Sequence, residues 1–279
     1  MLLSLSTACF YLLPLRMAFR LAAEAGFDGV ELVMAPEVWL RGPRYVQTLA
    51  REYGLGVCSV HQALMSGGPR SPGAGRMGDA LRMALDLGCP CVVIHDPGGI
   101  RWGDPKAQRW LSRVGACQEH GRGSDVRLAL ENPGVYRESD LCNLLGCPAV
   151  LADFARRHDL DITLDTCHAG TTGIPLSEIY SLLKGRLANV HLSDLKRLRP
   201  AVDQHFLYNL SSHHQVPGEG FLRLDRFLSQ LACDGFRGPV TLETSFVAMR
   251  AWSQRQCVDT LRRIAEYVHG AAGEGGVRT

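Results

Sequence analysis

The chain has 279 residues, of which 46% are hydrophobic and 21% are charged, as in an ordinary globular protein with a large core. Its formal net charge of +2 excludes the strong positive charge that is typical of nucleic-acid-binding proteins. No run approaches the roughly 18 apolar residues of a membrane span, and the N-terminal residues, which lack a basic start, predict a strand and not a signal peptide.

Eight short apolar runs alternate with helical segments along the chain. Val, Ile and Leu dominate these runs, which is typical of parallel strands covered by helices. The predicted strands are residues 2–6, 29–33, 57–61, 91–95, 127–131, 161–165, 188–192 and 240–244. Apolar residues with helical period predict helices at residues 16–25, 42–53, 78–87, 141–158, 176–183, 224–233 and 255–269.

This alternation predicts a fold of the α/β class. Eight units with right-handed crossovers close into a single (β/α)8 TIM barrel; a doubly wound open sheet is the alternative. The barrel is expected to span residues 1–269, and the glycine-rich residues 270–279 are expected to form a flexible tail. Three long connections follow strands, at residues 62–76, 96–103 and 193–221, and are expected to cover the face that carries active sites.

Metal-binding side chains stand at or next to the ends of the last four predicted strands. They are Glu131, Asp165, His191 and Glu243. In a closed barrel they are neighbours around half of the rim, and three carboxylates in one cavity repel each other unless a cation is present. One histidine and three carboxylates suit a single divalent ion such as Mn²⁺, Zn²⁺, Co²⁺ or Mg²⁺, with Fe²⁺ a further candidate. Two earlier strands end in His61 and His95.

Several motifs follow one another in the order of a known family. They are Ala-Gly-Phe-Asp-Gly-Val-Glu31-Leu, Val-Ile-His95, Leu-Glu131-Asn-Pro, Leu-Asp165-Thr-Cys-His168, Val-His191-Leu-Ser-Asp194 and Pro-Gly-Glu-Gly220. With these motifs the chain resembles the xylose-isomerase-like superfamily, which includes sugar isomerases and epimerases and the family 2 apurinic endonucleases. The resemblance covers most of the chain.

Resemblance to the epimerase branch implies a metal-dependent isomerase or epimerase acting on a sugar or on a sugar-like polyol or keto compound. In that branch the four strand-end residues hold one divalent ion. Glu131 and Glu243 would exchange a proton at the carbon next to the carbonyl, through a metal-stabilised enediolate. The residues expected to contact the substrate are His61, His95, His168, Arg197 and His214.

Resemblance to the nuclease branch implies the alternative, a zinc-dependent phosphodiesterase acting at abasic sites. That branch binds three zinc ions, and four histidines match its zinc ligands: His61, His95, His168 and His214. An aspartate of the third zinc site is replaced here by Ser212, unless Asp194 or Asp203 substitutes for it. The missing anionic ligand and the near-neutral charge favour the sugar enzyme, with a small-molecule partner and without nucleic-acid or membrane partners.

The 10 cysteines are scattered and do not match zinc-finger spacing. Buried, reduced thiols and a cytoplasmic location are therefore expected. A homo-oligomer packed over the barrel mouth would suit the fold, although no motif predicts it.

Overall fold

A computed structural model describes residues 1–64, 75–98, 103–135, 140, 145–197 and 212–275. Most of the three long connections predicted after strands, together with Asp203, lies outside these residues. The predicted covering loops therefore stay predictions.

Eight parallel strands close into a barrel in the order β1 to β8. Their bounds are β1 Leu2–Ser6, β2 Gly29–Val33, β3 Gly56–His61, β4 Cys91–Ile94, β5 Arg127–Glu131, β6 Asp161–Asp165, β7 Leu187–Leu192 and β8 Pro239–Leu242. Strand β1 pairs with both β2 and β8, and Leu3 opposite Val240 closes the ring. The predicted (β/α)8 barrel is confirmed, and the open sheet is wrong.

Helices surround the barrel. Their bounds are α1 Leu15–Glu24, α2 Pro36–Tyr53, α3 Gly75–Leu87, α4 Pro105–His120, α5 Pro148–Arg157, α6 Thr166–Thr171, α7 Leu176–Leu183, α8 Leu224–Cys233 and α9 Gln254–Gly275. Among the helices of the described residues, none has the length and apolar character needed to cross a bilayer.

The helices differ from the prediction in several places. Helix α5 begins at Pro148 and not at residue 141, and the short helix α6 was not predicted. Helix α2 begins six residues earlier than predicted, and Gly42 bends it with a φ of 69°. Helix α4 was not predicted, although Asp104 caps its first turn and Ala107, Trp110 and Val114 are buried on one face. Helix α9 continues to Gly275, so the tail boundary predicted at residue 269 falls inside a helix.

The strands separate an apolar outer layer from a polar barrel interior. Alternate residues such as Leu5, Leu32 and Leu164 pack outward in the main hydrophobic core. The residues between them point inward, where polar side chains of different strands meet, including Ser6, Glu31, Ser59, Asn189 and Thr241. Because the side-chain period of a strand is two, one sequence pattern builds the core and lines the cavity.

Candidate metal centre

Four side chains converge at the C-terminal rim of the barrel. Glu131 and Asp165 are the last residues of β5 and β6, His191 is the next-to-last residue of β7, and Glu243 follows β8. One ligand atom from each lies within 4.8 Å of the other three. The C-terminal ends of parallel strands share one face of a barrel, which explains why residues more than a hundred positions apart meet here.

Each of these side chains holds one buried polar atom that has no hydrogen bond. The atoms are Glu131 Oε2, Asp165 Oδ2, His191 Nδ1 and Glu243 Oε2. His191 Nδ1 lies 2.7 Å from Glu243 Oε2 and 3.4 Å from Glu131 Oε2. Burying carboxylate oxygens without donors is costly unless a cation compensates them. The residues therefore fit one divalent ion bound by nitrogen and oxygen ligands.

Glu31 supports this cluster from below, and no functional role was predicted for it. Its Oε2 accepts hydrogen bonds from Ser59 Oγ at 2.7 Å and Asn189 Nδ2 at 3.2 Å, and its Oε1 accepts one from Ser6 Oγ at 3.1 Å. His191 Nε2 lies 2.9 Å from the same Oε2. Because an ionised carboxylate can only accept, Nε2 carries a hydrogen, and Nδ1 is the ring nitrogen that faces the cluster.

Charge interactions set the protonation of the cluster. Burial opposes the negative charge of Glu243, but the imidazolium of His191 outweighs it and lowers the pKa of that carboxyl to about 2. Burial likewise opposes the charge of Glu131, and His95 and His191 hold its pKa well below its usual value. Burial would lower the pKa of His191, but the surrounding carboxylates raise it well above its usual value. A bound cation would take the place of the proton on Nδ1 of His191.

A second group of potential ligands adjoins the first. His61, His95 and Glu131 each offer an atom within 4.8 Å of the other two. The Nε2 atoms of His61 and His95 are 2.8 Å apart, and Glu131 Oε2 lies 3.5 Å and 3.0 Å from them. His61 Nδ1 donates to the carbonyl oxygen of Gln62 at 2.6 Å, which leaves its Nε2 facing Glu131. Glu131 therefore belongs to both groups.

His168 and His214 lie on the other side of the cluster. His168 Nδ1 is 3.2 Å from Glu131 Oε1. Burial opposes its charge, but Asp165 and Glu131 raise its pKa to about 10. His214 Nδ1 lies 3.2 Å from Ser193 Oγ and 3.9 Å from Asp165 Oδ2. Both rings therefore border the carboxylates, and their contact with a substrate stays a prediction.

Two other residues considered from the sequence, Arg197 and Asp194, do not belong to this cluster. Arg197 is exposed at the edge of the described part of the loop after β7, so its substrate contact stays a prediction. Asp194 accepts hydrogen bonds from the backbone nitrogens of Leu195, Gly218, Gly220 and Leu222. Both of its oxygens are occupied in holding this loop, and Asp194 is therefore wrong as a substitute for the missing zinc ligand.

Comparison with known proteins identifies relatives along nearly the whole chain. An uncharacterized protein of Mycobacterium tuberculosis is 30% identical over 272 residues, covering 90% of this chain and 91% of the relative. The fructoselysine 3-epimerase of Escherichia coli O157:H7 is 22% identical over 276 residues, covering 90% and 94%.

Solved structures share the fold at low sequence identity. A D-tagatose 3-epimerase-like protein matches with a TM-score of 0.74 and 21% identity, over 98% of this chain and 99% of its own. An IOLI protein with a binding zinc atom matches with a TM-score of 0.72 and 16% identity, over 96% and 98%. The family model described as xylose isomerase-like TIM barrel matches residues 19–267. The chain belongs to the xylose isomerase-like TIM barrel family.

Proposed function

We propose that the protein is a divalent-metal-dependent isomerase or epimerase of a sugar or a sugar-like polyol or keto compound. The observation that carries this proposal is the convergence of four buried ligand atoms, none of which has a hydrogen bond, at the ends of β5 to β8. The name of the E. coli relative, a 3-epimerase of a sugar derivative, supports the reaction class. The zinc atom of one structural neighbour supports the metal, with Mn²⁺, Co²⁺ and Mg²⁺ also suited to the donor set.

Two carboxylates would move the proton. Glu131 belongs to β5 and Glu243 follows β8, and an oxygen of each lies within 3.4 Å of His191 Nδ1. A substrate bound between the two carboxylates would present opposite faces to them. The low pKa values of both carboxyls keep them ionised at neutral pH, which is the form that removes a proton. A bound ion would polarise the carbonyl and stabilise the negative charge of the enediolate.

The remaining side chains would orient these groups. His168 Nδ1 lies against Glu131 Oε1, which leaves Glu131 Oε2 facing the cluster. His95, His61, His214 and Arg197 are the proposed substrate contacts, and His95 is the most exposed histidine of the centre, with 32% of its side chain accessible. A sugar would therefore enter past His95.

Solvent deuterium exchange into a panel of ketoses tests the proposal. Glu131→Gln and Glu243→Gln should each lower the exchange rate by at least about a hundredfold, because general acid–base groups contribute roughly 10²–10⁴-fold. Glu266→Gln, on the exposed face of α9, is the matched control and should retain the wild-type rate. Full exchange in either active-site variant would exclude that carboxylate as the base.

The zinc phosphodiesterase remains the second candidate because His61, His95 and Glu131 form an additional ligand group. It requires more than one zinc ion per chain and cleavage of an abasic duplex that weakens steeply with salt. One tightly bound ion by elemental analysis, together with no cleavage at low salt and added zinc, would exclude it.

A further inference from the structure

A small pocket is lined in part by His95, which borders the candidate metal centre. It has a volume of about 110 Å³, and its lining includes His95, Asp96, Trp110, Arg76 and Arg113. A water molecule occupies roughly 30 Å³ in the liquid, so the pocket holds a group of a few heavy atoms and not a second sugar ring. Its wall is shared with the candidate metal centre, because His95 Nε2 lies 3.0 Å from Glu131 Oε2.

Two guanidinium groups give this pocket its charge. Within the part of the chain that the structure describes, neither Arg76 nor Arg113 is within ion-pair distance of a carboxylate, whereas Arg41 and Arg127 both have acidic partners. Arg76 Nη1 donates to the carbonyl oxygen of Ala63 at 3.3 Å, which ties the arginine to the chain that leaves β3. Arginine without an acidic partner, beside a substrate site, is suited to binding an oxyanion.

One acidic residue faces the same pocket. Asp96 Oδ1 accepts a hydrogen bond from the backbone nitrogen of Gly98 at 3.2 Å. The amine of Lys106 lies nearby and donates to the carbonyl oxygen of Gly98 at 2.9 Å. Two arginines and one carboxylate therefore line the pocket itself, and this balance of charge favours an anion.

We propose that this pocket binds a terminal oxyanion of the substrate, a phosphate monoester or a carboxylate, carried on the end of the sugar chain that extends past His95. The inference rests on the proposed function for the identity of the rest of the substrate. The preferred substrate would then be an acidic sugar derivative. Its reacting carbons would lie between Glu131 and Glu243, and its charged end would lie between Arg76 and Arg113.

Turnover of three matched substrates tests this assignment: a neutral ketohexose, its 6-phosphate and the corresponding ketohexuronate. The metal-loaded enzyme should show a kcat/KM at least about tenfold higher for one charged substrate than for the neutral one, and the better of the two identifies the oxyanion. Arg76→Gln and Arg113→Gln should each reduce this preference about tenfold, the effect of losing one charge-assisted hydrogen bond. Arg237→Gln, which removes the same charge beside the start of β8 at the opposite end of the barrel, should retain it.

Binding of inorganic phosphate to the metal-loaded protein, followed by calorimetry, separates the two proposals. If the affinity for phosphate falls at least about tenfold in Arg76→Gln/Arg113→Gln but not in Arg237→Gln, the pocket is supported. This holds even if no sugar is turned over, because an absence of turnover would count only against the isomerase. The oxyanion proposal would be wrong if the enzyme turned over the neutral ketohexose as well as the charged substrates and the double variant bound phosphate as tightly as the wild type. The proposed isomerase activity would be unaffected by that result.

Discussion

Glu31 is a charged residue in the middle of an apolar strand, and its four contacts explain why. All of its partners are donors: the hydroxyls of Ser6 and Ser59, the amide of Asn189 and Nε2 of His191. A carboxylate, which only accepts, satisfies all of them at once. Glutamine at this position would direct its own amide hydrogens at donors, so the carboxylate of Glu31 is required both for the hydrogen bonds and for the orientation of His191.

Glu31→Gln should therefore weaken metal binding without removing a ligand. We expect the affinity for Zn²⁺ or Mn²⁺ to fall roughly 10–100-fold, the usual effect of losing the hydrogen-bond partner of a metal-bound histidine. Competition with a chromogenic chelator measures it, and circular dichroism confirms folding. Glu266→Gln is the control. Equal affinities in Glu31→Gln and the wild type would show that Glu31 serves the fold and not the centre.

At the residue scale, the sequence predicted the four clustered residues but not the role of Glu31, which holds His191 in place. Glu131, Asp165, His191 and Glu243 end apolar runs, and that position alone sends their side chains to one rim. Glu31 was visible as a charge between Val30 and Leu32, but its four partners come from three other strands. Only closure of the barrel brings β1, β3 and β7 around Glu31, and this proximity cannot be obtained from local pattern.

At the scale of the elements, a buried carboxylate, Asp194, holds the chain that follows β7. Asp194 is fully buried and accepts four backbone hydrogen bonds, three of them from Gly218, Gly220 and Leu222. A Cβ at Gly220 would lie 2.2 Å from Asp194 Oδ1, so only glycine lets the backbone approach this closely. The carboxylate thus fastens the segment after His214 to the end of β7.

Asp194→Asn should destabilise this loop, because an amide group then faces backbone donors. We expect the free energy of unfolding to fall by about 2–4 kcal/mol, the loss of one or two charge-assisted hydrogen bonds in a buried site. Amide hydrogen exchange at residues 218, 220 and 222 should accelerate. Urea unfolding measures the stability, with Asp234→Asn, a half-exposed partner of Lys184, expected to change it by less than about 1 kcal/mol.

A loss in Asp194→Asn no larger than that in Asp234→Asn would contradict this interpretation. The role of Asp194 could not be predicted, since three of its four partners follow more than 20 residues later in the chain. Helix α4 is different. Its N-cap Asp104, its Pro105 and the spacing of its buried residues are all local signals, so the sequence contained the information for this helix and the prediction overlooked it.

At the scale of the whole molecule, the two ends of the barrel differ in how their charges are compensated. At the N-terminal end Arg127 and Arg186 pair with Asp159 and Asp161 near solvent, in bridges that contribute little to stability. At the C-terminal rim the carboxylates of Glu131 and Glu243 are largely buried and lie against histidine rings. The alternation of strands and helices predicted the barrel, while this difference in charge compensation depends on the three-dimensional arrangement.

Binding of a divalent ion should therefore stabilise the whole barrel. With the free ion at about 100 times its Kd, the free energy of unfolding should rise by about 2.7 kcal/mol, which corresponds to a rise in Tm of roughly 5–10 °C for a domain of this size. Scanning calorimetry of the chelator-treated protein, with and without the ion, measures the shift.

The same shift should be lost in Glu243→Gln and retained in Glu266→Gln, because only the first removes a ligand. It should also be smaller at pH 5 than at pH 7.5, since His191 must give up its proton before Nδ1 can bind the ion. A shift of equal size in Glu243→Gln, or one that does not change with pH, would place the bound ion elsewhere on the protein. If the ion raises the Tm of the wild type and of Glu266→Gln but not that of Glu243→Gln, the ion stabilises the barrel by binding at the four strand ends. These are the residues on which the proposed chemistry depends.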